Sequence, residues 1–199
     1  MKVFSFAVGI LISIYTMAQT GNRQVATFGS GCFWCTEAIF SRLEGVYHVQ
    51  PGYSGGNVIN PSYKEVCGGR TGHAEVIQFE YDSQAISFAE LLEVFFKTHD
   101  PTQLNRQGND VGTQYRSVIF YHTDEQKELA EEIKSKLNTE GIWEDYIVTE
   151  ISAFSNFYKA EDYHDDYYSN NPNQGYCQYV ITPKVEKFER VFQSYLKQE

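Results

Sequence analysis

A chain of 199 residues, with 42% hydrophobic and 16% aromatic residues, is long enough to bury the core of one ordinary globular domain. Its formal net charge of -10 disfavours nucleic acids and anionic membrane surfaces as partners, because both carry negative charge themselves. The five prolines are scattered and no linker or internal repeat divides the sequence, so a single domain is expected.

The first residues of the chain have the pattern of a secretory signal peptide. Lys2 is followed by an apolar run over residues 3–15, which ends in Thr-Met-Ala at 16–18 before polar residues. The run is shorter than the roughly 20 residues that span a bilayer, which disfavours stable membrane insertion. We therefore predict a signal peptide over residues 1–18, a single domain over residues 19–199, and a periplasmic or secreted protein in which disulfides can persist.

Two cysteines stand three positions apart between a predicted strand and a predicted helix. Residues 24–28 have the β-branched and aromatic character of a buried strand, and residues 36–43 place apolar side chains at helical spacing. Cys32 then lies at the positive end of the helix dipole, which lowers the pKa of a thiol. We predict that Cys32 is a nucleophile and is a thiolate at neutral pH.

A Cys-x-x-Cys pair is also typical of a structural disulfide or of half a zinc site. Zinc is disfavoured here because Cys67 and Cys177 lie far apart in sequence and neither belongs to a second such pair. The Phe-Trp pair between the cysteines suits an apolar pocket better than a metal site. No metal is expected, while a permanent disulfide and a redox-active one both remain open.

The next predicted elements are a strand over residues 46–53, a glycine-rich loop and a short helical turn. The density of glycine in the loop allows its backbone to come close to another group. Ser62 is the expected cap of the helical turn. Cys67, at the end of the turn, is expected to be buried as a small apolar residue.

Glu75 begins a strand, predicted over residues 75–81, in which polarity alternates. The alternation places Glu75 on the same face as Ile77 and Phe79. A carboxyl that is desolvated on such a face has a raised pKa and stays protonated, which makes it available as an acid. On the pattern alone, the alternative that Glu75 reaches solvent at the end of the strand remains open.

The remaining predicted elements alternate irregularly between helix and strand. Ser87 opens a helix with a capping box, and the helix ends near His99. The polar loop over residues 103–113, which contains Asp110, suggests a site, with a solvated connection as the alternative. A strand over residues 117–121, a helix from Thr123 to near Gly141 and a strand over residues 147–154 follow.

In the last part of the chain, Asp and His stand at adjacent positions over residues 161–166. Adjacent positions on a helix do not converge on one ion, so this segment predicts a capped helix instead of a metal site. Cys177 leads into a predicted short strand, and Thr182 opens a final helix. The irregular order of elements predicts an α+β sandwich.

Three motifs resemble, in sequence and in order, those of the A-type peptide-methionine sulfoxide reductases: Gly-Cys-Phe-Trp at 31–34, Gly-His-Ala-Glu at 72–75 and Gly-Thr-Gln-Tyr-Arg-Ser at 112–117. The resemblance runs from about Ala26 through the final helix. It implies a two-layer α+β sandwich with helices packed on a mixed sheet around a ferredoxin-like core. It also implies thiol-dependent reduction of methionine S-sulfoxide, free or in oxidised proteins, to methionine.

The resemblance also implies a role for each matching residue. Cys32 attacks the sulfoxide sulfur and becomes a sulfenic acid, and Glu75 protonates the oxygen. The remaining implied roles are to hold that oxygen (Tyr63 and Tyr115), to complete the polar network (Asp110) and to receive the substrate methyl group (Phe33 and Trp34).

A second thiol then condenses the sulfenic acid to an intramolecular disulfide, and a thioredoxin-like protein restores the dithiol without any bound cofactor. Many family members have Gly where this chain has Cys35 and keep their recycling cysteines near the C-terminus, where this chain has Cys177 alone. We favour Cys35 as the first resolving residue, because a three-residue separation at a helix start needs little chain movement. Cys177 remains a candidate, either to attack Cys32 itself or to carry the disulfide onward to the surface.

Two other function classes are also consistent with parts of the sequence. An exported thiol-disulfide oxidoreductase would use the pair of Cys32 and Cys35 directly, but the Cys-Gly-Pro-Cys sequence and the cis-proline segment of thioredoxins are missing. A secreted binding domain would keep the same two cysteines as a permanent bridge. The order of the motifs favours the reductase over both.

Overall fold

A six-stranded mixed sheet is the centre of the fold, in a computed structural model that describes residues 22–198. Its strands in chain order are β1 (Arg23–Ser30), β2 (Val46–Ser54), β3 (Ala74–Asp82), β6 (Ser117–Tyr121), β7 (Glu150–Ala153) and β8 (Tyr158–Lys159), while β4 (Arg106–Gln107) and β5 (Asp110–Val111) form a separate two-stranded ribbon. The order across the sheet is β7-β6-β1-β3-β2-β8. The pair of β6 and β7 is parallel, and the other neighbours are antiparallel.

Within residues 22–198, six α-helices accompany the sheet: α1 (Phe33–Phe40), α2 (Tyr63–Cys67), α3 (Phe88–Thr98), α4 (Asp124–Glu140), α5 (Tyr167–Asn170) and α6 (Thr182–Val191). The predicted caps are present, since Ser62 and Ser87 each form a capping box with the glutamate three residues later. The Thr123 hydroxyl likewise accepts a hydrogen bond from the backbone N–H of Gln126 at the start of α4.

The main core lies between the sheet and the helices on one of its faces. Phe28 of β1 is fully buried and packs edge-on against Phe40 of α1 and Phe79 of β3, each at a ring-centroid distance of 5.6 Å. Because successive strand residues point to opposite faces, Ile77 joins this core while Val76 joins a smaller cluster on the other face. The predicted α+β architecture, with helices packed on a mixed sheet, is confirmed.

The site is formed where the end of β1 meets the start of β3. The two strands pair antiparallel with Phe28 opposite Ile77, so the chain that leaves β1 toward α1 passes close to Glu75. Gly29 makes this approach possible, because a Cβ atom there would lie 2.8 Å from the backbone oxygen of Glu75.

Three local expectations differ from the structure. Cys67 is exposed, not buried, because Val66 is the buried residue of the short surface helix α2. The strand expected after Cys177 is instead a π-helical turn over Cys177–Ile181 that continues directly into α6. The helix expected over residues 161–166 is a 3₁₀ turn, Asp162–His164, followed by α5.

The predicted signal peptide over residues 1–18 lies outside the described residues. Within residues 22–198, no helix has both the length and the apolar character that crossing a membrane requires.

Candidate active site

Cys32 is the N-cap residue of α1, at the strand-to-helix junction that the sequence predicts. Its side chain makes no capping hydrogen bond, so the sulfur is left for chemistry, and the residue is 8% exposed. The turn before it depends on Gly31, whose φ of 101° lies in the region that favours glycine. A Cβ atom on Gly31 would also lie 2.6 Å from the Cβ of Gln107.

The structure contradicts the expectation that Cys32 is a thiolate in the resting protein. Burial raises the pKa of the Cys32 thiol well above its ordinary value, and hydrogen bonding to Cys35 and the nearby Glu75 act in the same direction. The helix dipole favours the charged form, but desolvation of the sulfur has the larger effect. Cys32 is therefore protonated before substrate binds.

Cys35 carries the negative charge of the cysteine pair instead. Hydrogen bonding with Cys32 lowers the pKa of Cys35 to about 7, despite the opposing effect of burial. The Lys184 ammonium, with Nζ 3.9 Å from the Cys35 sulfur, and the Tyr176 hydroxyl, at 4.0 Å, lower it further. Both cysteines are reduced in this structure.

Glu75 is 1% exposed, so the structure agrees with its predicted place on the buried face of the strand. Its Oε2 accepts a hydrogen bond of 3.1 Å from the backbone N–H of Phe33, the residue after the nucleophile. Its Oε1 is buried and has no partner within residues 22–198. Burial, together with the negative charges of Asp110 and Cys35, raises the pKa of Glu75 to about 8, so the carboxyl holds a proton at neutral pH.

Tyr63 and Tyr115 come to the same site from two different elements. Tyr63 is the first residue of α2, and Tyr115 ends a 3₁₀ turn over Thr113–Tyr115. Burial and the neighbouring Glu75 raise the pKa of both phenols, so both remain hydrogen-bond donors.

Asp110 is connected to the site through the side chain of another residue. Its Oδ2 accepts a hydrogen bond of 2.6 Å from the hydroxyl of Tyr176, the same hydroxyl that approaches the Cys35 sulfur. Asp110 therefore acts on the cysteine pair through Tyr176, a contact that the sequence did not predict.

Phe33 and Trp34 differ in accessibility. Phe33 is 1% exposed, whereas Trp34, two residues after the nucleophile, is half-buried. One face of Trp34 stacks on Tyr167 with centroids 3.6 Å apart and an interplanar angle of 5°, and its Nε1 donates to His164 Nδ1 at 3.0 Å. Trp34 is therefore the aromatic surface that a substrate methyl group can contact, with Phe33 packed behind it.

Cys177 is fully buried in the π-helical turn. Burial and the nearby charge of Cys35 raise the pKa of its thiol. In this reduced state Cys177 is next to Cys35 but does not reach the surface, so it is not in a position to present a disulfide to a partner.

Two residues that sequence reasoning treated as structural help to build the site. Glu161 accepts hydrogen bonds from the Tyr63 backbone N–H (2.9 Å) and from the Tyr53 hydroxyl (3.0 Å). His164 is fully buried and orients Trp34. Their segment lies within the stretch that resembles the family, from about Ala26 through the final helix, which was the available signal. Tyr176 stands beside Cys177 in a Gly-Tyr-Cys segment that also matches that family, whereas Lys184 had no comparable signal. Only the tertiary fold brings either residue to Cys35.

No group of three or more His, Cys, Asp or Glu side chains arranged to hold a metal ion occurs within the described part of the chain. The structure thus brings five predicted site residues into one cluster. The cluster contains two thiols (Cys32 and Cys35), a protonated carboxyl (Glu75) and two phenolic donors (Tyr63 and Tyr115). Such a cluster can deliver a proton and a sulfur nucleophile to the same substrate atom pair.

Comparison with known proteins agrees with this chemistry. Residues 24–196 match the family described as peptide methionine sulfoxide reductase. The chain is 55% identical over 178 residues to the peptide methionine sulfoxide reductase MsrA of Saccharolobus solfataricus, a match that covers 87% of this chain and 97% of that protein. It is 58% identical over 176 residues to MsrA 1 of Rhodopirellula baltica, covering 88% of this chain and 91% of that protein. The crystal structure of reduced Mxr1 from Saccharomyces cerevisiae is similar, with a TM-score of 0.71 and 38% identity over 78% of this chain and 90% of that one.

Proposed function

The chain belongs to the peptide methionine sulfoxide reductase family, and we propose that it reduces the S epimer of methionine sulfoxide, free or in oxidised proteins, through a sulfenic acid on Cys32. The observation that carries the proposal is the buried carboxyl of Glu75, which hydrogen-bonds the backbone beside Cys32 and keeps one oxygen without a partner among residues 22–198. A protonated acid next to a cysteine is what reduction of a sulfoxide needs.

In the first step Glu75 donates a proton to the sulfoxide oxygen, and the hydroxyls of Tyr63 and Tyr115 hold that oxygen by hydrogen bonds. The proton places positive charge on the substrate sulfur, and this charge favours the Cys32 thiolate that the resting site disfavours. The Cys32 sulfur attacks the substrate sulfur, and the sulfur–oxygen bond of the sulfoxide breaks as the protonated oxygen passes to Cys32. Cys32 is thereby oxidised to a sulfenic acid, the substrate sulfur is released as the thioether of methionine, and the proton lost by Cys32 returns to Glu75.

In the second step a thiol condenses with the sulfenic acid to form a disulfide and water. Cys35 is proposed as the first resolving residue, because its thiol has the lowered pKa and lies one helical turn from Cys32. Cys177 is buried and has a raised pKa, which makes it the poorer nucleophile of the two.

The catalytic cycle is closed by a thioredoxin-type protein, which reduces the disulfide by thiol–disulfide exchange. The electrons come from this partner, so no bound cofactor is part of the proposal. The pattern of residues 1–18 supports an exported protein, in which the partner would be a thioredoxin-like protein of the periplasm or cell exterior.

The test of this function uses the full chain with dithiothreitol and offers it two kinds of substrate. Consumption of the S epimer of N-acetyl-methionine sulfoxide, abolished by Cys32→Ser, supports the proposal. Reduction of a peptide disulfide without consumption of either sulfoxide epimer would instead identify a thiol-disulfide oxidoreductase, for which Glu75 and the two phenols have no use.

A further inference from the structure

Lys184, near the start of α6, directs its ammonium group at the sulfur of Cys35. The distance from Nζ to Sγ is 3.9 Å, and the side chain is half-buried. No carboxylate within residues 22–198 lies at ion-pair distance from Lys184; every ion pair of the described chain joins other residues. A lysine that is half-buried beside a thiol and lacks a carboxylate partner in this region is suited to have the thiolate as its counter-ion.

The other candidate thiol has no such contact. Cys177 is fully buried in the π-helical turn, and among the described residues no lysine or arginine hydrogen-bonds its sulfur. The two thiols that compete to resolve the sulfenic acid therefore differ in their electrostatic surroundings as well as in their distance along the chain from Cys32.

We propose that Lys184 is a catalytic residue of the resolving step, in which its ammonium group holds Cys35 as the thiolate that attacks the sulfenic acid of Cys32. This inference rests on the proposed function. The Cys35 sulfur donates an electron pair to the Cys32 sulfur, a sulfur–sulfur bond forms and the sulfur–oxygen bond breaks. The oxygen leaves as water with its own proton and one from solvent; Cys35 is oxidised and the sulfenic sulfur is reduced.

The groups that face Cys35 come from several elements, and Lys184 supplies the positive charge among them. The others are neutral or negative: Cys32, Glu75, Asp110, Tyr176 and Cys177. Lys184 also lines a groove of about 630 Å³ beside α3 and α6, together with Lys97 and Lys187. Contact with this groove leaves the Lys184 side chain partly exposed to solvent.

The experiment measures a single turnover of the full chain without reductant, in a Cys177→Ser background so that Cys35 is the thiol that resolves. Methionine formed from the S-sulfoxide reports the first step. Loss of thiols reports the disulfide, and a dimedone adduct on Cys32 reports unresolved sulfenic acid. The substitutions are Lys184→Met, which removes the charge, and Lys184→Arg, which keeps it. Lys187→Met, on the same helix and in the same groove, is the matched control.

At pH 7 we expect Lys184→Met to slow disulfide formation relative to methionine formation about fivefold, which corresponds to about 1 kcal/mol for a partly exposed charge pair. Dimedone labelling should rise, and the pH dependence of resolution should move to higher pH. Lys184→Arg should restore most of the rate, and Lys187→Met should resemble the parent chain.

The inference is overturned if Lys184→Met resolves at the rate and with the pH dependence of the parent. It is also overturned if Lys184→Arg is as slow as Lys184→Met, because the effect would then come from packing and not from charge. Absence of methionine from the parent chain itself would be a failure of the proposed function, which the first readout distinguishes.

Discussion

At the scale of single residues, the site depends on two groups whose protonation at neutral pH is the opposite of the usual for their residue types. Glu75 is a protonated carboxyl and Cys35 is the thiol of lowered pKa, while the nucleophile Cys32 is neutral until substrate arrives. Burial is the largest cause for Glu75 and Cys32, and contact between the two sulfurs is the largest for Cys35. The resting site therefore keeps its proton donor protonated and its nucleophile unreactive.

Replacing the acid provides the first prediction. Glu75→Gln removes the proton donor, and we expect kcat for the S-sulfoxide to fall by about 10²–10⁴-fold, the usual contribution of a positioned acid. In the unsubstituted chain the acid is lost as its carboxyl ionises, so activity should fall as pH rises through about 8. Steady-state rates from pH 6 to 9.5 measure both effects.

Glu80 is the matched control for this substitution. It lies on the same strand but on the opposite face, where it pairs with Arg23 at 3.1 Å on the surface. Glu80→Gln should keep both the rate and its pH profile. A Glu75→Gln enzyme with the parental rate would show that the proton comes from another group.

The residue scale also shows what sequence reasoning could and could not reach. The alternation of β3 was sufficient to place Glu75 on the buried face and to give the direction of its pKa shift. The helix dipole at Cys32 is a local effect, and the thiolate predicted from it is wrong for the resting protein because burial and the neighbouring Cys35 depend on tertiary packing. Lys184 was not identified, since its contact with Cys35 spans 149 positions of sequence.

At the scale of elements, two capping boxes of the same kind begin helices that depend on their caps to different degrees. Ser62 caps α2, a helix of 5 residues that positions Tyr63, and Ser87 caps α3, a helix of 11 residues with an extensive buried face. In each box the serine hydroxyl accepts the N–H of the glutamate three residues later. The first box therefore orders a site residue, while the second mainly stabilises the core.

These two serines give the second prediction. Ser87→Ala should lower the free energy of unfolding by about 1 kcal/mol, the usual cost of losing an N-cap, and change kcat/KM less than about twofold. Ser62→Ala should lower kcat/KM more, by about threefold or above, because α2 has little buried surface to hold it once its cap is lost. Urea unfolding and steady-state kinetics on both variants test the contrast, which equal effects on kcat/KM would contradict.

The π-helical turn is the element that the sequence misassigned. The apolar Val180 and Ile181 after Cys177 resemble a short strand, but the chain is already helical from Gly175 and Tyr176 onward. Local polarity alone does not distinguish a short buried strand from a helical segment of the same length. As a result, Cys177 lies inside the protein in a helical turn and not at the start of a strand.

The third prediction concerns which thiol resolves. After one equivalent of S-sulfoxide without reductant, the parent chain and Cys177→Ser should each lose two thiols and contain the disulfide between Cys32 and Cys35. Cys35→Ser should accumulate sulfenic acid, because Cys177 has a raised pKa and is held in the π-helical turn. Thiol titration and peptide mapping give the result. Rapid formation of a disulfide between Cys32 and Cys177 in the parent would contradict it.

At the scale of the whole molecule, the sheet order brings together residues that are distant in sequence. The neighbouring strands β1, β3 and β2 place Cys32, Glu75 and Tyr53 around one end of the sheet. Sequence patterns predicted most of these strands and helices, and the motif resemblance predicted the α+β arrangement that is observed. The strand order and the placement of α6 against Cys35 depend on long-range packing, which no local pattern reveals.

The fourth prediction links the acid to the stability of the fold. An unfolded glutamate loses its proton near pH 4.5, but Glu75 and Glu37 keep theirs in the folded protein up to about pH 8 and about pH 7. Between these values unfolding releases protons, so the free energy of unfolding falls as pH rises. The stabilising contribution is full below about pH 4.5 and is lost by about pH 8.

Glu75→Gln should therefore flatten the pH dependence of stability between pH 5 and 8 and make the variant more stable than the parent at pH 8. The gain should exceed about 1.4 kcal/mol, the equivalent of one pKa unit. Urea unfolding at a series of pH values measures it, with the exposed Glu186→Gln as the control. A variant that is less stable than the parent at pH 8 would contradict the raised pKa of Glu75.

The central claim is that Cys32 receives the oxygen of the S-sulfoxide, and trapping of the sulfenic acid tests it most directly. The experiment exposes the reduced Cys35→Ser, Cys177→Ser double variant to each separated epimer of N-acetyl-methionine sulfoxide with dimedone present, and then maps the adduct. We predict one methionine and one adduct per chain, on Cys32, with the S epimer alone, and neither product when Cys32→Ser is added. Methionine formed without an adduct on Cys32, or an adduct on Cys67, would contradict the account.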